Sequence, residues 1–277
     1  MRTLQDRVAV VTGGGGGIGR ATSLALAARG CHVAVVDVNA DAAGDTARKV
    51  ERLGRRATVH RTDVRDLAAM SALADEVVDR HGGCNVVVNN AGVTSAGSFE
   101  EEPMEDVHWI VDINVWGVVH GCRAFLPVLR RAEEGHIVNL SSMVGLVGLP
   151  HNATYSLTKG AVRAFTEALR AELITSPIGV TAVFPGSIHT GITASARGSQ
   201  AAKIASLGES RLAPVLLRPP SKVANAIVRG IEKDRPRVVV GPDAHLVSAL
   251  SRVLPGRSGL VGRVTNRLAE RGAPTTT

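Results

Sequence analysis

Along this chain, short valine-rich apolar runs alternate with longer stretches whose apolar residues recur every three or four positions. The runs are RVAVVT at 7–12, HVAVVD at 32–37, ATVH at 57–60, NVVVNN at 85–90, HIVNLS at 136–141, VTAVFP at 180–185 and RVVVG at 237–241. Apolar runs without strict alternation fit strands buried on both faces, as in a parallel sheet covered by helices. The stretches 18–29, 67–80 and 103–131 carry their apolar residues at helical spacing. The pattern predicts an α/β fold, doubly wound, with a parallel seven-stranded sheet and helices on both faces. Pro103 and the acids around it in EEPMED mark the start of the long third helix. Proline is tolerated in a first helical turn and carboxylates suit the helix dipole there, so the acids do not point to a metal.

Two segments break the rhythm. From about 191 to 220 the chain runs through small and polar residues, and a connection that long predicts a lid over a site. Residues 243–277 read as a C-terminal helical extension with a flexible end, following a single domain over 1–242. Pro255 and Gly256 divide it into two amphipathic stretches, one with Leu246, Leu250, Val253 and Leu254, the other with Leu260, Val261, Val264 and Leu268.

Charge changes this picture little. The net charge is +7, but eight Lys/Arg against three Asp/Glu lie between Lys233 and Thr277, so the preceding residues are close to neutral. No aromatics interleave with the basic residues, so a nucleic-acid partner is not expected. The basic tail is expected to pack on the body or a neighbouring subunit rather than on a membrane surface. Cys31, Cys84 and Cys122 are odd in number and lack paired spacing, which suits free thiols in a reducing compartment. With no signal-like start and no run of 18 apolar residues, the reading is cytoplasmic. No His/Asp/Glu cluster has ligand spacing, so no metal is expected.

Chemistry concentrates in a few places. The first strand runs into TGGGGGIGRA, 12–21. Glycines between a strand and a helix let the backbone turn sharply and approach a pyrophosphate at the positive helix end, the signature of a Rossmann-type dinucleotide fold. Asp37 closes the second strand, where a carboxylate accepts hydrogen bonds from ribose hydroxyls and repels a 2′-phosphate. Neither Gly16 nor Val38 supplies an offsetting cation, so NAD(H) is preferred over NADP(H). The only tyrosine, Tyr155, lies four residues before Lys159. On a helix these share one face.

Together these features resemble the short-chain dehydrogenase/reductase family over residues 5 to about 241. The family's glycine pattern falls at Thr12, Gly13, Gly17, Ile18 and Gly19, and its N-N-A-G at Asn89 to Gly92. A helical asparagine follows at Asn114, a serine after the fifth strand at Ser142, the Y-x-x-x-K pair at Tyr155 and Lys159, and P-G-x-x-x-T at Pro185 to Thr190. The resemblance implies a catalytic set of Asn114, Ser142, Tyr155 and Lys159. Tyr155 would act as general acid/base, its pKa lowered by the lysine and an oxidised nicotinamide. Ser142, favoured over Ser141 by its spacing to the tyrosine and by the alternation of strand side chains, would bind the substrate oxygen. Lys159 would also hold the nicotinamide ribose. Asn114 would hold a relay water, or would instead be a helix-bend asparagine satisfied by backbone.

For the cofactor, Asp63 with Val64 would meet adenine, although Asp63 also suits a helix N-cap. Asn89, Ala91 and Gly92 would line the cleft, and Pro185, Gly186, Ile188 and Thr190 would meet the carboxamide. His151, His189 and Trp116 are weaker candidates for the pocket rim. The resemblance implies a homo-oligomer, dimer or tetramer, acting on a small alcohol or ketone. The stretches 93–98, 143–152 and 187–220 are largely small or apolar, which favours an uncharged, fairly apolar substrate. Reduction of a 3-oxoacyl thioester is the nearest rival, and a non-catalytic dinucleotide-binding regulator stands behind it.

Overall fold

The computed structural model describes residues 1, 3–189, 192, 195–202 and 217–253. Leu254 and the second amphipathic stretch of the tail, Thr190, and most of the expected lid lie outside the described residues.

All seven expected strands form, in one parallel sheet of order β3-β2-β1-β4-β5-β6-β7. They are β1 (Val8–Thr12), β2 (His32–Asp37), β3 (Ala57–Arg61), β4 (Val86–Asn89), β5 (Gly135–Leu140), β6 (Ile178–Pro185) and β7 (Arg237–Val240). Their side chains alternate between two apolar layers, which is why the runs read as continuously hydrophobic. Ala9, Val11, Val33, Val35, Val86 and Val88 face one layer. Val8, Val10, Ala34, Val36, Val87 and Ile137 face the other.

The first layer is covered by α1 (Gly17–Ala27), α2 (Ala40–Arg52) and α7 (Pro220–Glu232), through Leu26, Val50 and Ile227. The second is covered by α3 (Leu67–His81), α5 (Gly117–Leu129) and α6 (Ala153–Glu172), through Met70, Phe125 and Val162. The long helical stretch is interrupted. Pro103 caps α4 (Met104–Val111), and a wide π-type turn, Asp112–Trp116, joins it to α5. The last described element is α8 (Pro242–Val253), with Ala244 buried and Leu246 and Val253 exposed. No helix among the described residues is long and apolar enough to cross a membrane.

Strand order reverses between β1 and β4. Loops that leave adjacent strands in opposite directions open a crevice at the strands' carboxyl ends, where ligands bind in such sheets.

At the other end of the sheet a buried histidine sets an acid limit on stability. His136 in β5 is fully buried, with Nε2 bonded to Thr181 Oγ1 at 2.8 Å and Nδ1 without a partner. Burial lowers its pKa to about 3, so the folded state resists a proton that the unfolded chain takes up near pH 6.5. Stability is therefore full above the unfolded value and falls as pH drops below it, by up to about 1.4 kcal/mol per pH unit from this group. Urea midpoints at pH 7.5 and pH 5 should show the loss, and His136→Asn should flatten it. An unchanged slope in the variant would remove His136 as the cause.

Candidate active site

The crevice is a cleft of about 900 Å³ that extends from Asp37 and Asp63, past the glycine turn, to Ser142, Tyr155 and Lys159. The glycine turn is built by close approach. Gly13 has φ +62°, a conformation that side chains disfavour. A Cβ on Gly19 would collide with Gly13 O, so α1 can seat against the turn only with glycine there. The N-cap of α1 is Gly16, which offers no side-chain hydrogen bond to the helix's first N–H groups. Those donors and the positive helix end are left available, and a Cβ at Gly16 would meet nothing within 4 Å. This cradle suits the pyrophosphate of a dinucleotide.

Asp37 stands at one end. Its carboxylate accepts from Gly15 N–H at 2.9 Å and Asn39 N–H at 3.0 Å, tying the second strand to the glycine turn. Asp63 also lines the cleft, but it does not cap α3. Asp66 does, accepting from Ala68 and Ala69 N–H, whereas Asp63 is paired with Arg65 at 2.6 Å, and the guanidinium holds its carboxyl below the usual range. Val64, Ala91 and Gly92 line the middle of the cleft, and Pro185, Gly186 and Ile188 the far side.

Four expected residues do not reach the cleft surface, each for a local reason. Thr12 is buried, and its hydroxyl accepts from Asn90 N–H and Ala91 N–H at 3.0 Å, fixing the loop that does line the cleft. Gly19 is packed under the turn. Asn89 points to the opposite face of the sheet, where Nδ2 donates to Asn139 Oδ1 at 2.9 Å. Its neighbour Asn90 faces the cleft, donating to Thr12 O at 2.9 Å. The expectation for Asn89 is thereby corrected by one residue, which in an extended chain reverses the face.

Asn114 is the fourth. It sits in the π-type turn, fully buried. Its Oδ1 accepts from Val93 N–H at 2.8 Å, and Nδ2 donates to Val93 O at 2.9 Å and to Thr158 Oγ1 at 3.1 Å. Thr158 in turn donates to Tyr155 O at 2.8 Å. The helix-bend alternative thus describes its bonds, and those bonds tie the cleft loop to the turn of α6 that carries Tyr155 and Lys159.

The two serines after β5 divide as strand alternation requires. Ser141 donates to Lys159 O at 2.7 Å, while Ser142, whose Oγ accepts from Val144 N–H at 3.4 Å, lines the cleft with Tyr155. Lys159 Nζ lies 5.8 Å from the tyrosine ring centre and donates to Leu140 O at 3.0 Å. Desolvation pushes Tyr155 up to about 12, with the Ser142 hydroxyl opposing it, and pushes Lys159 down to about 8. Desolvation outweighs the neighbouring ammonium because that ammonium is aimed at a carbonyl rather than at the phenol.

Beyond these groups Val93, Trp109, Ile113 and Ile192 form an apolar wall, with Ser195 beside them. Trp116, a candidate for this rim, is exposed and stacks on His120 instead. His151 has φ +59° and accepts from Gly97 N–H through its carbonyl, and neither it nor His189 lines the cleft. Sequence reasoning also missed Asp243 of α8, which accepts from Ser187 N–H at 2.7 Å and braces the Pro185–Gly186 turn from behind. Among the described residues no three His, Cys, Asp or Glu side chains converge as metal ligands would.

Comparison with known proteins agrees with this geometry. The profile of the short chain dehydrogenase family matches residues 7–201. A Mycobacterium tuberculosis protein that carries the name oxidoreductase SadH is 39% identical over 259 residues, 92% of this chain and 93% of its own length. The 2,5-dichloro-2,5-cyclohexadiene-1,4-diol dehydrogenase LinX of Sphingobium indicum is 33% identical over 69% of this chain and 76% of its own. A short chain dehydrogenase/reductase of Burkholderia phymatum, solved in complex with NAD, superposes with a TM-score of 0.84 at 28% identity, covering 100% of this chain and 99% of its own.

Proposed function

The chain belongs to the short-chain dehydrogenase/reductase family of oxidoreductases, and from that premise we propose that it interconverts a secondary alcohol and a ketone with NAD(H). The observation that carries this reading is the half-buried Tyr155, which lines one end of a cleft together with Ser142 and Lys159 while the other end presents Asp37. The cofactor, when bound, supplies the acceptor or donor of hydride. The chain supplies position and proton control.

In the oxidative direction Ser142 donates to the substrate oxygen and orients the carbinol, and Tyr155 as phenolate takes the hydroxyl proton as the C–H hydride leaves. In reduction Tyr155 returns that proton to the carbonyl oxygen. Lys159 would hold the nicotinamide ribose, and Asn114 would fix the loop and helix that frame the reaction. The apolar wall of Val93, Trp109, Ile113 and Ile192 suits an uncharged, fairly apolar substrate. A cytoplasmic dimer or tetramer belongs to the same reading, supported by three buried free thiols and by the family.

The choice of NAD rests on Asp37. Its carboxylate is already held by two backbone N–H groups, so it cannot turn away from a 2′-phosphate without giving up both. Absorbance at 340 nm, with NAD or NADP and a panel of secondary alcohols, steroids and sugars, tests the proposal. NAD should be preferred, and Asp37→Asn should lower KM for NADP about tenfold, roughly 1.4 kcal/mol. A wild-type preference for NADP would defeat the cofactor assignment, and absence of turnover with any alcohol while NAD still binds would defeat the reaction.

A further inference from the structure

Segment 195–200 belongs to the long connection between β6 and α7, and it is fastened through Arg197 and Gln200. Arg197 N–H donates to Thr94 O at 3.2 Å, Ala96 N–H donates to Arg197 O at 2.9 Å, and Gln200 N–H donates to Ala96 O at 2.9 Å. These bonds make a short parallel bridge between the segment and the loop after β4. The Arg197 side chain then reaches α4. Its guanidinium lies 4.1 Å from the centre of the Trp109 ring, and Nη1 pairs with Asp106 Oδ1 at 2.9 Å. Asp106 and Trp109 are three residues apart and share a helix face. Trp109 is itself a wall of the cleft, as are Ile192 and Ser195 just before the fastened residue.

We propose that Arg197 is a positioning residue, which latches segment 195–200 over the substrate end of the cleft by clamping Trp109 between α4 and that segment. The inference rests on the reading of the cleft as an alcohol/ketone site and deepens it by naming what shapes the substrate end. An isolated exposed ion pair would deserve no such role. Here one residue is held at once by a backbone bridge and, through its guanidinium, by a ring and a carboxylate, and the ring it covers is a cleft wall.

The same geometry bears on substrate class. Arg197 is neutralised by Asp106 and does not line the cleft, so it offers no site to a carboxylate or phosphate on the substrate. It holds an apolar surface in place instead. Its loss should weaken substrate binding and leave the proton-transfer groups where they are, which raises KM more than it lowers kcat.

The protein has two tryptophans, so Trp116→Phe leaves Trp109 as the sole indole reporter. In that background Arg197→Ala should uncover the ring. Acrylamide quenching should rise about twofold, the emission should shift to the red, and Arg197→Lys should fall between the two, because lysine keeps the charge but not the planar stack. Amide exchange across 94–97 should quicken in Arg197→Ala and in Asp106→Asn. With the alcohol found to turn over, KM should rise about tenfold in Arg197→Ala while NADH binding changes less than about twofold.

Unchanged quenching and exchange would overturn the latch whether or not a substrate is known. Altered quenching with an unchanged substrate KM would leave the contact standing and overturn its positioning role. Failure of every alcohol to turn over would count against the reaction assigned above, and the quenching and exchange results would still decide the latch.

Discussion

Tyr155→Phe should reduce turnover by about 10²–10⁴-fold, the range associated with loss of a positioned acid or base. The change removes one oxygen from a half-buried ring at the cleft wall and leaves its packing intact. NADH binding should therefore stay within about twofold of the wild type, a loss in kcat rather than in affinity. Tryptophan-to-NADH energy transfer gives the affinity and absorbance at 340 nm gives the rate. Turnover that survives the substitution would remove Tyr155 from the chemistry, whatever else the cleft does.

The direction of reaction should add a pH signature. Desolvation raises the phenol to about 12, which favours the protonated form that reduction uses. Oxidation needs the phenolate. A positive ring brought beside it would favour that form and lower the pKa, but from a raised starting point. Oxidation should accordingly accelerate as pH rises from 7 to 10, while reduction does not. Ser142→Ala removes the hydroxyl that favours the phenolate and should move the rise to higher pH.

The sheet was legible in the sequence because each strand is buried on both faces, and Val-rich runs have few other homes. The site was legible where function demands a residue type at a fixed spacing, as with Tyr155 and Lys159 one helical turn apart. It was less so where two neighbours compete. Alternation along an extended chain separates Ser141 from Ser142, and applied to Asn89 and Asn90 it would have placed the second in the cleft. Trp109 and Asp243 left no local signal. Trp109 lines the cleft from α4, within a stretch whose pattern reads only as helix, and Asp243 meets Ser187 from 56 residues away. The raised Tyr155 pKa was also hidden, since spacing puts Lys159 near the phenol but does not reveal that its ammonium is aimed at Leu140 O.

That lysine should expose the cost of the site. Lys159→Met should abolish most turnover and weaken cofactor binding, yet make the folded protein more stable at pH 7. Lys159 is buried and its pKa is lowered from 10.5 to about 8 by desolvation. The folded state therefore penalises the charged form. The penalty is complete below pH 8, shrinks as pH rises towards the unfolded value of 10.5, and is absent above it. A shift of this size corresponds to about 3 kcal/mol at neutral pH. Methionine keeps most of the apolar stem and removes the charge, but it leaves Leu140 O without its donor, a loss of about 1 kcal/mol. The net gain should be on the order of 2 kcal/mol at pH 7, reach zero at about pH 10, and turn into a loss of about 1 kcal/mol above about pH 10.5, where only the missing hydrogen bond remains. Urea unfolding of both proteins across that range measures it. A variant less stable than the wild type at pH 7 would mean that the ammonium is compensated in the fold by more than one carbonyl. A gain that disappears on schedule would show a buried charge retained at the expense of stability, which is the expected mark of a group kept for chemistry.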